Sequence, residues 1–422
     1  MDETGAGHAA GQAARWAGHR PGSTGYRRLM AALFLAGVAA FSQLYSPQGL
    51  LPLIAAERGM SPDEASLVVS MGTLGLTVGV LPWSYAGDRW GRRQCMGVAL
   101  VAACVFGLGV FMVSAVLGDA STAWPLMLGL RFAEGFALGG IPALALAYLT
   151  EEVHVMAAPI AAGSYISGNT IGGLSGRIIA APVGEQFGWH IGQLAVVVVA
   201  TLCAIAFVVV APPAKRFTPR TTTWRRGVTD VVDNVKSPRL VVLYAQAFLL
   251  MGGFVAMYNY LGFHLSGPPF NLPLWLTALV FLAYLAGTWT SPQAGRLAAR
   301  KGRRPVLLAS VVVMLVGVLA TLVASLPVLL VATLVFTGGF FAAHAVASGW
   351  SSAAATGGRA QSAALYTLSY YAGSSLFGWL GGGFLTRWGW PGTVLMTASL
   401  VACALVLALV GLPRESRGSR DG

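Results

Sequence analysis

The chain has 422 residues and a formal charge of +12, and 56% of its positions are hydrophobic while only 10% are charged. Soluble domains carry about 25% charged residues, so this composition excludes a water-soluble globular core and fits a surface that faces lipid. Nor does the positive charge read as a nucleic-acid patch, because the lysines and arginines fall in the segments between apolar runs.

Residues 1–28 are rich in Gly, Ala and Arg and lack an apolar h-region, which reads as a solvated tail rather than a cleaved signal. Apolar runs then recur at about 29–53, 65–86, 95–117, 123–149, 157–182 and 190–211. A polar stretch over 212–238 follows, and six further runs cover about 239–263, 274–294, 305–324, 326–349, 361–385 and 391–411. Each is long enough to cross about 30 Å of hydrocarbon as a helix. The expected fold is an all-α integral membrane protein with twelve transmembrane helices. Two pseudo-symmetric six-helix bundles, residues 29–211 and 239–411, are joined by a central loop over 212–238, with a tail over 412–422. In the first run Pro47 and Pro52 should break the helix and free carbonyls.

A charged tip, Gly87-Asp88-Arg89-Trp90-Gly91-Arg92-Arg93, separates the second and third runs and reads as a short aqueous loop. A second copy, Gly295 to Arg304, stands about half the chain away with Ala299 in the place of Asp88. This spacing is the mark of an internal repeat. Further matches pair the fifth run with the eleventh (Ser164-Tyr165 to Gly173 with Ser369-Tyr370 to Gly378) and the fourth with the tenth (Glu134-Gly135-Phe136 with Gly338-Gly339-Phe340). With the amino terminus inside, 23 of the 27 Lys and Arg fall on the cytoplasmic side and only Arg58 and Arg387 outside, so both termini are expected in the cytoplasm.

The whole chain resembles the major facilitator superfamily. Gly87 to Arg93 resembles the signature G-x-L-A-D-R-x-G-R-R after helix two, with Ser84 and Ala86 departing from its first Gly and its Leu. Arg131-Phe-Ala-Glu134-Gly135 resembles the helix-four motif R-x-x-Q-G of proton-coupled members, with Glu134 for Gln. Gly168-Asn169-Thr-Ile-Gly172-Gly173 resembles the helix-five antiporter motif G-P-x-x-G-G, with Asn169 for Pro. Tyr45 to Pro52, Tyr148 to Glu152 and Phe341 to Gly349 are similar to YnfM-like efflux permeases. The resemblance implies alternating access, a conformational latch at Asp88, Arg89, Gly91, Arg92 and Arg93, and a helix-five face (Gly168, Gly172, Gly173) that seals the interface between halves.

Of 15 acidic residues only Glu134 lies deep in an apolar run, about 16 Å along the fourth helix. A charge there costs at least about 2.5–3.5 kcal/mol, so it needs a partner or a role. Arg131 shares its helix face and is the expected partner. As a proton carrier Glu134 would be switched by small movements of that arginine; as a packing element the pair would stay closed. His344 is a candidate proton relay, against the plainer reading of a histidine bonded to a nearby carbonyl. Arg177 either snorkels to the outer interface or faces the cavity, where it would bind an anionic or carbonyl group of substrate or alternate with Arg131 at Glu134. Gln43, Tyr45, Tyr165, Asn169, Gln246, Tyr258, Asn259, Tyr370 and Tyr371 are candidate substrate contacts, an amphipathic lining suited to a ring-bearing molecule.

The expected activity is proton-coupled efflux of a small amphipathic organic compound or drug, with proton-coupled transport of a sugar or metabolite as the alternative. The expected setting is the inner membrane, with protons, a small-molecule substrate and lipid as partners, no nucleic acid, and a monomer. No enzyme is expected, since no nucleophile stands with a base and no Walker-type segment occurs. Cys95, Cys104, Cys203 and Cys403 show no disulfide or zinc spacing, so no metal is expected, and no cofactor beyond the proton gradient.

Overall fold

The computed structural model describes residues 18–118, 122–219, 224–355 and 358–413. The first 17 residues and the tail from 414 lie outside them, as do the expectations placed there. Helices dominate, and the described residues hold no β-strand beyond an isolated bridge between His19 and Val153.

Ten helical stretches are long and apolar enough to cross a bilayer. One of them, Gln361–Gly411, is two crossings joined at Gly389, whose φ of 63° interrupts the helical path. Another crossing, Ala158–Phe187, has 30 residues and is so rich in glycine and serine that it falls outside the ten. The described residues therefore form twelve crossings. The first span is Thr24–Tyr45, a 3-10 turn Ser46–Gly49 and Leu51–Arg58. The second and third are Pro62–Trp90 and Arg92–Leu117. Ala123–Leu138 continued by Gly140–Glu152 makes the fourth, Ala158–Phe187 the fifth and Trp189–Val210 the sixth. Beyond the amphipathic helix Trp224–Lys236, the seventh span is Pro238–Ser266. The eighth runs from Leu274 to Lys301 through a 3-10 stretch Leu279–Tyr284. Arg303–Ala320 and Leu326–Ala354 are the ninth and tenth, and residues 359–388 and 390–411 the eleventh and twelfth.

The repeat is visible in the turns. Gly91 (φ 99°) joins the second and third spans and Gly302 (φ 92°) the eighth and ninth, while Gly188 (φ 90°) and Gly389 (φ 63°) do the same for the fifth–sixth and eleventh–twelfth pairs. Such φ values suit glycine, so one residue reverses the chain at each matched place. The charged tip is accordingly not the loop expected of it. Gly87, Asp88 and Arg89 form the last turn of the second span, and Gly91 alone is the turn.

Bare glycine backbones let spans touch. A Cβ on Gly135 would stand 1.9 Å from the Gly72 carbonyl oxygen, pressing the fourth span on the second. A Cβ on Gly373 would stand 1.9 Å from the Phe248 carbonyl oxygen, pressing the eleventh on the seventh. Gly373→Ala should therefore force those two spans apart and lower stability by about 1–3 kcal/mol, read as earlier thermal unfolding in detergent. An unchanged melting profile would show that the contact yields freely. The glycine face of the fifth span does not lie between the halves: Gly168 meets Phe34 and Gly172 meets Val38, both on the first span, and Gly173 meets the Arg177 guanidinium.

The two halves close on each other at the end that carries Asp63 and Glu185. There Gly382 abuts the Asp63 backbone, and the Ser375 hydroxyl donates to the Ser70 carbonyl at 2.8 Å. The Glu185 carboxylate accepts from the Leu274 and Trp275 amides at 2.9 and 3.0 Å, where its charge also suits the start of a helix. At the opposite end the connection between halves is moored on both sides. The buried Glu152 carboxylate accepts from the Lys215 and Arg216 amides at 2.7 and 2.8 Å, Tyr148 donates to the Pro212 carbonyl, and Asn234 donates to the Gly358 carbonyl at 3.3 Å.

Candidate substrate and coupling site

Pro47 has no N–H, so the first span ends its α-helix at Tyr45 and leaves carbonyls of the preceding turn without their helical donors. The Ser46 hydroxyl donates to the Gln43 carbonyl at 3.2 Å, and Arg131 supplies further donors. Its Nη1 reaches the Gln43 carbonyl at 3.4 Å and Nη2 the Leu44 carbonyl at 3.0 Å, while Nε reaches the Val68 carbonyl at 3.1 Å. The same Nη1 donates to Glu134 Oε2 at 2.6 Å, and both side chains are buried, at 1% and 0% exposure. Glu134 Oε1 has no partner among the described residues, and neither does Gln43 Oε1. A Cβ on Gly107 would lie 3.3 Å from the first and 2.9 Å from the second, so both oxygens look onto the same glycine. The expected Arg131–Glu134 contact is present, closed on itself in this conformation. Gln43 belongs with this pair and not with the aromatic lining.

One face further round, the proline-broken turn meets a second arginine. Arg177 is 1% exposed and does not snorkel. Its guanidinium lies over the rings of Tyr45, Phe281 and Tyr284 at 4.8, 4.5 and 4.9 Å, contacts that attract a cation to each ring face. Nε donates to Gln48 Oε1 at 2.8 Å, Nη2 to that same oxygen and to the Tyr284 hydroxyl at 3.3 Å, and Nη1 to the Gly173 carbonyl. Gln48 in turn donates to Asn259 Oδ1 at 2.6 Å, and Asn259 to the Gly378 carbonyl at 3.0 Å. This chain of bonds runs from the fifth and first spans into the seventh and eleventh. Arg177 pairs with no carboxylate among the described residues and stays apart from Glu134.

An aromatic strip leads away from that cage. Tyr284 packs on Tyr258 and Phe341 (centroids 4.9 and 5.8 Å), Phe341 on Phe340 (5.3 Å), and His344 stands between Phe340, Tyr366 and Tyr370 at 6.0, 5.6 and 4.9 Å. Tyr370 meets Tyr371 at 5.0 Å. His344 Nδ1 shares a hydrogen bond of 3.1 Å with the Tyr366 hydroxyl, a side-chain partner and not the carbonyl of the plainer reading. The buried hydroxyls of Tyr45 and Tyr165 stand beside Ser374 and Asn169, respectively. Tyr258 spends its hydroxyl on Thr337 at 2.6 Å. Gln246 sits elsewhere, fully buried, donating to the Ala404 carbonyl at 2.8 Å and so tying the seventh span to the twelfth. Gln48, Phe281 and Tyr284 are central here and were not singled out from the sequence; the nearest signal for Gln48 is its place directly after Pro47.

The charged tip forms its network inside the first half. Asp88 pairs with Arg92, and Arg92 Nε also reaches Glu151 Oε1 at 3.3 Å. Arg89 is exposed. Arg93 Nη2 donates to the Val208 carbonyl at 3.2 Å, near the end of the sixth span, and Arg304 Nη2 does the same for Leu409 at 2.7 Å in the twelfth. The last arginine of each copy thus serves a helix end, a favourable place for a cation.

The model of the Major Facilitator Superfamily matches residues 33–289 and 270–421, nearly the whole chain. The chain belongs to the major facilitator superfamily. Among its relatives is the inner membrane transport protein YnfM of Escherichia coli (strain K12), 38% identical over 92% of this chain and 90% of YnfM. The uncharacterized MFS-type transporter YybF of Bacillus subtilis (strain 168) is 34% identical over 92% of this chain and 94% of YybF. In fold, the crystal structure of the nucleoside transporter NupG superposes with a TM-score of 0.73 at 14% identity, covering 91% of this chain and 100% of that one. This member of the superfamily is thus a multi-pass membrane transporter, with the two-bundle architecture the repeat implied.

Proposed function

We propose that this transporter is a proton-coupled exporter of small amphipathic organic compounds, drugs among them. It works by alternating access, as a monomer in the cell's inner membrane with both termini in the cytoplasm. The observation that carries the reading is Glu134, a wholly buried carboxylate with one oxygen on Arg131 and the other without a partner. A proton has a place to sit on that free oxygen, and protonation would loosen the hold of Arg131 on the other. Arg131 also ties the broken turn of the first span to the second span, so a change at Glu134 reaches the elements that line the cage. The closed end at Asp63 and Glu185 supports a rocking motion, since transport requires that end to open as the other shuts. Export in exchange for protons follows the likeness of Gly168 to Gly173 to the antiporter motif. A pair that never parts would be a packing element, and flux separates the two readings.

The test begins with deletion and overexpression against a compound panel, and continues with any compound so found in proteoliposomes under an imposed pH gradient. Saturable efflux that follows the gradient is expected; flux indifferent to the gradient would end the proton-coupled reading. For the latch, Asp88→Asn should slow turnover several-fold while the fold persists, because the Asp88 side chain is 31% exposed and its pairing adds little stability. Unchanged turnover would remove Asp88 from the conformational cycle.

A further inference from the structure

We infer that Arg177 is the recognition point for a planar aromatic carboxylate, and that seating this anion releases the clasp between Gln48 and Asn259. The inference rests on the export reading for the role of the site, and it adds the substrate class. A guanidinium at 1% exposure with no carboxylate partner among the described residues is an uncompensated buried charge, which proteins rarely keep without use. What holds it is neutral: one amide oxygen, one carbonyl, one hydroxyl and three ring faces. Gln48 Oε1 alone occupies both Nε and Nη2, the side of the fork that a carboxylate would bind with two oxygens. The amide therefore stands where the two oxygens of an anion would be.

The surroundings give the rest of the molecule its chemistry. Tyr45 and Tyr284 flank the cation with ring faces, and the Tyr284 hydroxyl, which accepts from Arg177 at 3.3 Å, adds a polar contact beside it. A flat ring bearing one carboxylate satisfies both parts, whereas a cation would be repelled. Displacing Gln48 from Arg177 also frees the side chain that holds Asn259 of the other half at 2.6 Å. Binding then weakens the closed end, so that occupied transporter opens there more readily than empty transporter.

The experiment measures equilibrium binding to the purified full chain in lipid nanodiscs, with no gradient, using 2-naphthoate, 2-naphthamide and 2-naphthylmethylammonium. Naphthoate should bind at least about tenfold more tightly than either analogue, the worth of one charge-assisted contact. Arg177→Lys should weaken naphthoate about tenfold because the fork is lost while the charge stays. Gln48→Ala, which removes the competing amide, should tighten it. Equal binding of the neutral amide to the unmodified protein, no binding of naphthoate at all, or a Gln48→Ala variant that binds more weakly would each overturn the proposal. The analogue comparison needs no variant, so misfolding cannot mask it. Naphthoate binding without gradient-driven flux would sink the export reading and leave this one standing; flux of neutral compounds with no naphthoate binding would do the reverse.

Discussion

Glu134→Gln should abolish pH-gradient-driven efflux while substrate binding remains measurable. Glutamine keeps the size and the acceptor oxygen that Arg131 Nη1 now meets at 2.6 Å, so the fourth span can pack as before. What it loses is a site that gains and sheds a proton. The Arg131 contacts to Gln43, Leu44 and Val68 do not involve Glu134 and should hold the broken turn in place. Efflux under a pH gradient, measured in proteoliposomes with inserted protein quantified, checks the expectation. Undiminished gradient-driven efflux would show the pair to be a fixed packing element and would require the coupling proton to be carried elsewhere, with His344 the next residue to test.

The second large effect is expected at Arg131. Arg131→Leu leaves a fully buried carboxylate without its partner, a change that costs about 3–5 kcal/mol. It also strips the Leu44 carbonyl, at the broken turn, of its Arg131 donor, at about 1–3 kcal/mol for a buried group left unmet, while the Gln43 carbonyl keeps the Ser46 hydroxyl at 3.2 Å. Two separate losses can be resolved by a double substitution. Arg131→Leu with Glu134→Leu removes the orphaned charge but not the orphaned Leu44 carbonyl, so it should recover only part of the stability lost by the single variant. Full recovery in thermal or denaturant unfolding would mean that the carbonyl contacts carry no weight, and that Arg131 is a counterion only.

The features read most directly from the sequence depend on neighbours along the chain. Apolar run length marks all twelve crossings without help from tertiary structure. The i, i+3 spacing of Arg131 and Glu134 already places them together, and Pro47 announces the broken first span. Even the duplicated Gly-Arg-Arg segments proved to do matching work, through Arg93 and Arg304. The charged tip misled because the helix tolerates Asp88 and Arg89 in a final turn that water can reach, leaving only Gly91 to reverse direction.

The cage around Arg177 is different in kind. Tyr45, Phe281 and Tyr284 reach it from the first and eighth spans, and nothing in local spacing reports that meeting. Gln246 and Gln43 show the same limit from the other side. Polar residues in apolar helices read as cavity lining, yet one ties the seventh span to the twelfth and the other donates to the Ala39 carbonyl of its own helix and lies beside Glu134 at Gly107. The glycines of the fifth span read as an interface between halves because small residues signal close approach without naming the partner, which is the first span of the same half.

The single-glycine reversals at Gly91, Gly188, Gly302 and Gly389 have a practical corollary. Hairpins closed this tightly have no slack in which to graft a reporter or a cleavage site, since any added residue would have to displace a helix end. The segment between Pro212 and Pro238 is the natural place to divide the polypeptide. Two separately made fragments cut there would still find each other through the Ser70–Ser375 and Glu185–Leu274 bonds, which lie at the far end of the molecule from the cut.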